Sequence, residues 1–255
     1  MQHIIIQIYE VQTPSEAEAL IELGVDHIGS VVVSQNHWKI PQLKTTIETI
    51  RASAAKSSLI PLYNRPDAVL RTLDYYRPDI VHFCEALVDS ENLWKLCDQL
   101  IQLQRSVRKH FPDIKIMRSI PVGQKQAVDR IPTIEMAQRF EPTSDFFLTD
   151  TLLMNFSGAD IDNQPVQGFV GITGKVCDWA SARKLVQASH IPVILAGGIS
   201  PQNVQQGIRR VRPAGVDSCT RTNAHDQTGK PIRFKKDLVK VKRLVERVRA
   251  AEKSL

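Results

Sequence analysis

The chain has 255 residues, 42% hydrophobic and 24% charged, with a formal net charge of +6 at pH 7. No apolar run approaches the roughly 18–20 residues of a membrane span, and MQHIIIQIYE at the N-terminus has neither a basic region nor a small-residue cleavage site, so a cytoplasmic protein without membrane contact is expected. The four cysteines, Cys84, Cys97, Cys177 and Cys219, form no CxxC pair and no zinc spacing, which excludes a sequence-readable disulfide framework or metal site; no cofactor is expected.

Strand-like and helix-like segments alternate along the chain. His3 to Tyr9 is a short β-branched strand. TPSEAEALIELG then predicts a helix with Thr13 as N-cap, Pro14 at the first helical position, Glu16 completing a capping box and Gly24 closing it. HIGSVVV, a helix from about Pro41 to Ala54, LIPLY, a helix from about Pro66 to Tyr75, DIVHFC and a long helix near Ser90 to Lys109 follow. After these come DIKIMRS, a helix near Gln124 to Arg139, SDFFLTD, a helix near Trp179 to Ala188, PVILAG, a helix near Pro201 to Val211 and GVDSC. The chain ends in a basic helix within Phe234 to Ala251, where Leu238, Val241, Leu244, Val245 and Val248 keep helical spacing. Lys and Arg fill its opposite face as a solvated surface. Without aromatic platforms, the excess charge does not indicate a nucleic-acid partner. About eight strand–helix pairs in this length predict a closed (βα)8 barrel over residues 1–255, a single domain with parallel strands.

Almost thirty residues between Asp150 and Asp178 break the rhythm, and a loop of that length reads as a lid or binding loop. It leaves a strand, so it belongs to the C-terminal face, where barrel substrates bind. That face should collect Tyr9 and Glu10, Ser34 to His37, Asn64, Cys84 and Glu85, Arg118 and Ser119, Asp150, Gly197 and Gly198, and Ser218 to Arg221.

The densest signal is IPVILAGGISPQNV, Ile191 to Val204: an apolar strand, two glycines, then Ser200 as N-cap and Pro201 at the first helical position. Free N–H groups and a helix dipole at such a turn favour an anion, and the alternative is a plain tight turn. GITG, Gly171 to Gly174, offers further backbone N–H groups and the Thr173 hydroxyl. Ser218, Cys219 and Thr220 on the last strand join them, since late strands of a barrel share one phosphate site, and Arg221 adds a fork of donors or is a surface arginine. Asp150, ending an apolar strand, is either a general acid or base once burial raises its pKa or a brace for the long loop. His82 and Cys84 share one side of a strand, as an activated thiol pair or as packing.

These motifs resemble phosphoribosylanthranilate isomerase, a (βα)8-barrel enzyme of tryptophan biosynthesis. GITGKVCDWA is similar to the family's GGTGKTFDW, IPVILAGGISPQNV to PVILAGG-TPENV, PAGVDSC to GVDVSSG and FLTDT to LLDT. The resemblance implies an Amadori rearrangement of an aminoaldose to an aminoketose, with a small phosphorylated sugar or aminosugar as substrate. It implies a phosphate site at Gly171, Thr173, Gly174, Gly197, Gly198, Ser218, Cys219 and Thr220. It assigns Asp150 the proton donated to the ring oxygen, and a monomer or homodimer is expected. The sequence departs from the family where the general base belongs: QIYE stands for KICG, so Tyr9 replaces the cysteine. A tyrosine of ordinary pKa near 10 is a poor base at neutral pH. Asn36 stands for the arginine of the family's SPR, HFCE for QLHG and CTR for SSG. The chain therefore reads as an isomerase of this type with altered catalytic residues, in which Cys84, Glu85 or His82 could replace the base. The alternatives are another phosphosugar isomerase, epimerase or lyase, or a non-catalytic barrel that binds a phosphorylated metabolite.

Overall fold

In the computed structural model, which describes residues 3–87, 92–125, 131–155, 158–159, 168–171 and 173–254, eight parallel strands close into a barrel. The strands are β1 (Ile5–Ile8), β2 (His27–Val32), β3 (Lys56–Pro61), β4 (Ile80–Phe83), β5 (Lys115–Gly123), β6 (Phe146–Leu152), β7 (Val193–Leu195) and β8 (Gly215–Ser218). Each pairs with its neighbour in sequence, and β1 closes on β8 with Ile5 opposite Gly215 and Ile8 opposite Ser218. The helices are α1 (Pro14–Glu22), α2 (Pro41–Arg51), α3 (Pro66–Tyr76), α4 (Leu93–His110), α5 (Thr133–Phe140), α6 (Trp179–Ala188), α7 (Val204–Val211) and α8 (Leu238–Glu252). A strand covered on both faces must be apolar throughout, and β2 is buried at all six positions. Ile4, Ile6 and Ile8 pack outward with Leu20 of α1, Ile208 of α7 and Val241, Leu244 and Val248 of α8, sealing the barrel where it closes. Each such side chain contributes roughly 1.5–3 kcal/mol on burial.

Proline starts α1, α2 and α3, where the missing N–H costs nothing. Thr13 caps α1 by accepting from the Glu16 N–H at 3.3 Å, but the capping box does not close. The Glu16 carboxylate accepts instead from the Lys236 N–H at 2.6 Å, fastening a distant segment to α1. That segment corrects the sequence reading of the C-terminus. Phe234 to Lys236 are extended, not helical: Asn223–His225 and Pro231–Lys236 form an antiparallel hairpin between β8 and α8. Helix α8 starts only after Asp237, whose side chain accepts from the Val239 and Lys240 N–H groups.

Two other boundaries differ from expectation. Strand β5 runs on to Gly123 and α5 begins at Thr133, so only the second half of the helix expected near Gln124 to Arg139 is helical, and 126–130 lie outside the described residues. Helix α7 begins at Val204, not Pro201, and Ser200 is not its side-chain cap. Asn203 closes the preceding turn instead: its Oδ1 accepts from the Ser200 N–H at 2.9 Å and its Nδ2 donates to the Gly198 carbonyl at 3.0 Å.

The long connection after β6 lies only partly within the described residues. Met154–Asn155 pairs antiparallel with Gly158–Ala159. Its returning end docks across the mouth onto the end of β4, where Ala86 N–H donates to Gly168 O at 2.7 Å and Val170 N–H to Cys84 O at 2.8 Å.

Candidate active site

The floor of the site is a chain of hydrogen bonds across the barrel interior. Tyr9, one residue beyond β1, turns its ring flat over Gly29 of β2, so closely that a Cβ there would stand 2.1 Å from ring carbons. Its hydroxyl reaches Ser58 of β3 at 2.6 Å and His82 Nδ1 of β4 at 2.8 Å, and His82 Nε2 reaches Ser119 of β5 at 2.9 Å. Burial pushes the phenol well above its ordinary 10.0, and burial and Arg118 push the imidazole down to about 3. The phenol is thus neutral, the imidazole is neutral, and both ring nitrogens are occupied. Neither group is an available base.

Above this floor opens a cavity of about 730 Å³, counted out into open solvent. One end is made of backbone. Gly197 and Gly198 form the turn after β7, both at positive φ. A Cβ on Gly198 would stand 2.7 Å from the Lys175 carbonyl carbon, so only glycine lets the returning loop lie against this turn. Thr173 and Gly174 line the same end, as do Ser218, Cys219, Thr220 and Arg221. Arg221 lies in a 3₁₀ turn, and its Nε donates to Gly174 O at 3.0 Å, tying the loop after β6 to the loop after β8. Beyond Arg221 the wall continues to Lys240 and His225, whose side chains meet at 2.7 Å. The Ser218 hydroxyl is committed to Ile199 O at 2.7 Å, so Ser218 serves this end through its backbone.

The other chemically distinct feature is a pair of carboxyls. Leu148 pairs with Ile194 and Val216 with Leu195, so one or two residues further on Asp150 and Asp217 stand level on either side of Ala196. Both line the cavity and both are more than nine-tenths buried. Burial, then the charge of Asp217, raises Asp150 from 3.8 to about 7 against a bond from the Thr151 N–H. Burial also raises Asp217 to about 7, against the Gln7 amide and Lys236. Two carboxyls that titrate near neutrality in one cavity can hold one proton between them, which is the charge state of an acid–base pair.

Several sequence expectations change in the structure. His82 and Cys84 do point into the barrel, but the imidazole is spent on Tyr9 and Ser119, and the Cys84 thiol is raised well above 9.0 by burial and by Glu85 and Asp150. They do not form an activated thiol pair. Glu85 alternates to the outside of the barrel and binds Arg118, a fully buried guanidinium that also donates to Gln104 at 2.8 Å and lies over the Phe83 and Phe140 rings. Neither residue lines the cavity, and Arg118 and Ser119 sit midway along β5 rather than at its end. Asn36 is in the exposed loop after β2, where its N–H donates to Ser34 Oγ at 3.2 Å, away from the cavity lining. Asp217 and Lys236 were missed. The signal for Asp217 is an acidic residue in an apolar last strand, in the inward phase. Lys236 is 6% exposed, its Nζ donating to Cys219 O at 3.2 Å and to Asn223, and the turn residues of DQTGK foreshadow the hairpin that brings it there.

The fold and the site define a (βα)8 barrel with a glycine-built turn at one end of its cavity and a carboxyl pair at its mouth. Residues 90–221 match the family model described as N-(5'-phosphoribosyl)anthranilate (PRA) isomerase. Over 254 residues the chain is 26% identical to N-(5'-phosphoribosyl)anthranilate isomerase 1 of Methanosarcina mazei, covering 96% of this chain and 95% of the relative. Isomerase 2 of that organism is 37% identical over 146 residues, 54% of this chain and 57% of the relative. Among solved structures, the isomerase of Pyrococcus furiosus superposes with a TM-score of 0.64 at 20% identity, covering 97% of this chain and all of that one. An isomerase in complex with reduced 1-(o-carboxyphenylamino)-1-deoxyribulose 5-phosphate gives 0.62 at 16%, with the same coverage. The protein belongs to the phosphoribosylanthranilate isomerase family.

Proposed function

We propose that the protein isomerises N-(5'-phosphoribosyl)anthranilate to its aminoketose, with the phosphate at the glycine end of the cavity and Asp150 as the general acid. The observation that carries this reading is the placement of Asp150, a carboxyl more than nine-tenths buried that lines the cavity at the end of β6. A carboxyl with a pKa of about 7 still holds its proton near neutrality, and it stands at the mouth facing the Gly171 end of the loop. Such a group can deliver a proton to the ring oxygen as the C1–O bond breaks. Backbone N–H groups around Gly174 and Gly198, with the guanidinium of Arg221, offer the donors a phosphate needs. The sugar phosphate carried by the relative solved with a bound ligand is the class of molecule such a cavity suits. The net charge of +6 adds attraction for an anionic substrate.

The test is turnover of phosphoribosylanthranilate, followed by the loss of its fluorescence, for the native protein and for Asp150→Asn. Native turnover with a loss of roughly 10²–10⁴ in kcat for the variant is expected. Absence of native turnover, with a folded protein, would reject the reading.

A further inference from the structure

The reaction also needs a group to take the proton from C2, and Tyr9 stands where the resembled family has its base. We infer that Asp217 is that general base, an inference that rests on the proposed isomerase activity. Three observations carry it. Asp217 lines the cavity level with Asp150, with only the small Ala196 between their strands, so a sugar held over Ala196 has one carboxyl on each side. Among the described residues its carboxylate accepts a hydrogen bond from the Gln7 amide at 3.2 Å, which orients it and leaves lone pairs for a proton. The competing side chains are unsuited: the Tyr9 phenol is bonded to Ser58 and His82, the Cys84 thiol is buried beside Glu85 and Asp150, whose charges with burial outweigh that of Arg118, and Glu10 is clamped by Arg233 Nε at 2.7 Å.

The protons balance with these two carboxyls alone. Asp150 gives its proton to the ring oxygen as the C1–O bond breaks and the anthranilate nitrogen lone pair forms the iminium. Asp217, ionised, takes the C2 proton, and the C2–H electron pair becomes the C1=C2 bond of the enolamine as the iminium nitrogen is neutralised. Ketonisation adds a proton at C1, from Asp217, and removes the one on O2, to Asp150. Both carboxyls return to their starting states. The groups that face Asp217 fit this assignment: Gln7 on β1, the Asp150 charge across β7, Lys236 from the hairpin, and the neutral Tyr9 and Cys219. Lys236 and Gln7 favour the ionised form that accepts the proton, while burial keeps the carboxylate basic.

The experiment measures turnover across pH for the native protein, Asp217→Asn, Asp217→Ala and Glu10→Gln, with folding checked by thermal unfolding. Asp217→Asn should lower kcat by roughly 10²–10⁴ with little change in KM and should abolish the acid limb of kcat/KM. Formate should restore part of the activity of Asp217→Ala, which a purely structural role would not allow. Native turnover with Asp217→Asn within about threefold of it, or the large loss falling on Glu10→Gln instead, overturns the role of Asp217 and leaves the proposed function standing. No native turnover overturns both.

Discussion

Gly171 faces Asp150 at the mouth of the barrel: a Cβ added to the glycine would stand 3.0 Å from Asp150 Oδ2. The glycine has φ +118°, a conformation that L side chains rarely adopt. Gly171→Ala should therefore cost about 1–3 kcal/mol of stability and displace the carboxyl. Denaturant unfolding and kcat, measured together, should both fall. A variant that loses stability but keeps its kcat would separate the loop from the acid.

Tyr9→Phe tests the floor. It removes the hydroxyl that joins Ser58 to His82 and leaves two buried polar groups each one partner short. The expected cost is about 1–3 kcal/mol, read from the midpoint of urea unfolding. Adding Ser58→Ala and measuring the coupling in a double-mutant cycle apportions the loss between the two bonds.

The carboxyl pair makes stability depend on pH in a stated direction. Asp150 and Asp217 titrate near 3.8 when unfolded and about 7 when folded, so between these values the folded protein binds more protons than the unfolded one. Their contribution is most favourable below about pH 4, declines as pH rises, and is flat above about pH 7. Asp150→Asn removes the ionisation and keeps an oxygen for the Thr151 N–H, which Asp150 Oδ1 now accepts at 2.9 Å. The variant should melt several degrees above the native protein at pH 8 and converge with it near pH 4. This is a stability–activity trade-off at the site itself.

The hairpin's contribution is electrostatic as well. Glu10 is 1% exposed and its guanidinium partner, Arg233, comes from the strand Pro231–Lys236. Arg233→Met should destabilise by about 2 kcal/mol or more, because a buried carboxylate is left without a cation. Glu10→Gln in the same chain should recover part of that loss, measured by thermal unfolding.

The barrel was legible in the sequence because every βα unit announces itself locally, through Pro14, Pro41 and Pro66 at helix starts and through apolar runs such as FFLTD at strand ends. The glycine end of the cavity was legible for the same reason, since Gly171, Gly174, Gly197 and Gly198 answer to local backbone demands. The catalytic half was not, because its chemistry is set by contacts across the barrel. That Tyr9 is neutral and occupied depends on Ser58 and His82, which are 49 and 73 residues away. That Asp217 joins Asp150 depends on the register of β6, β7 and β8. Glu85 was misread because strand alternation turns it away from its neighbour Cys84. The hairpin 223–236 was overlooked because its charge and apolar pattern merges into that of α8.

A crystal structure with an unreactive, reduced aminoketose phosphate bound tests the central claim most directly. The phosphate should lie within hydrogen-bond reach of backbone N–H groups at Gly174 and Gly198, with the C1–C2 bond between the carboxyls of Asp150 and Asp217. A phosphate bound instead beside Lys240 and His225, or a C2 atom beyond reach of Asp217, would contradict it.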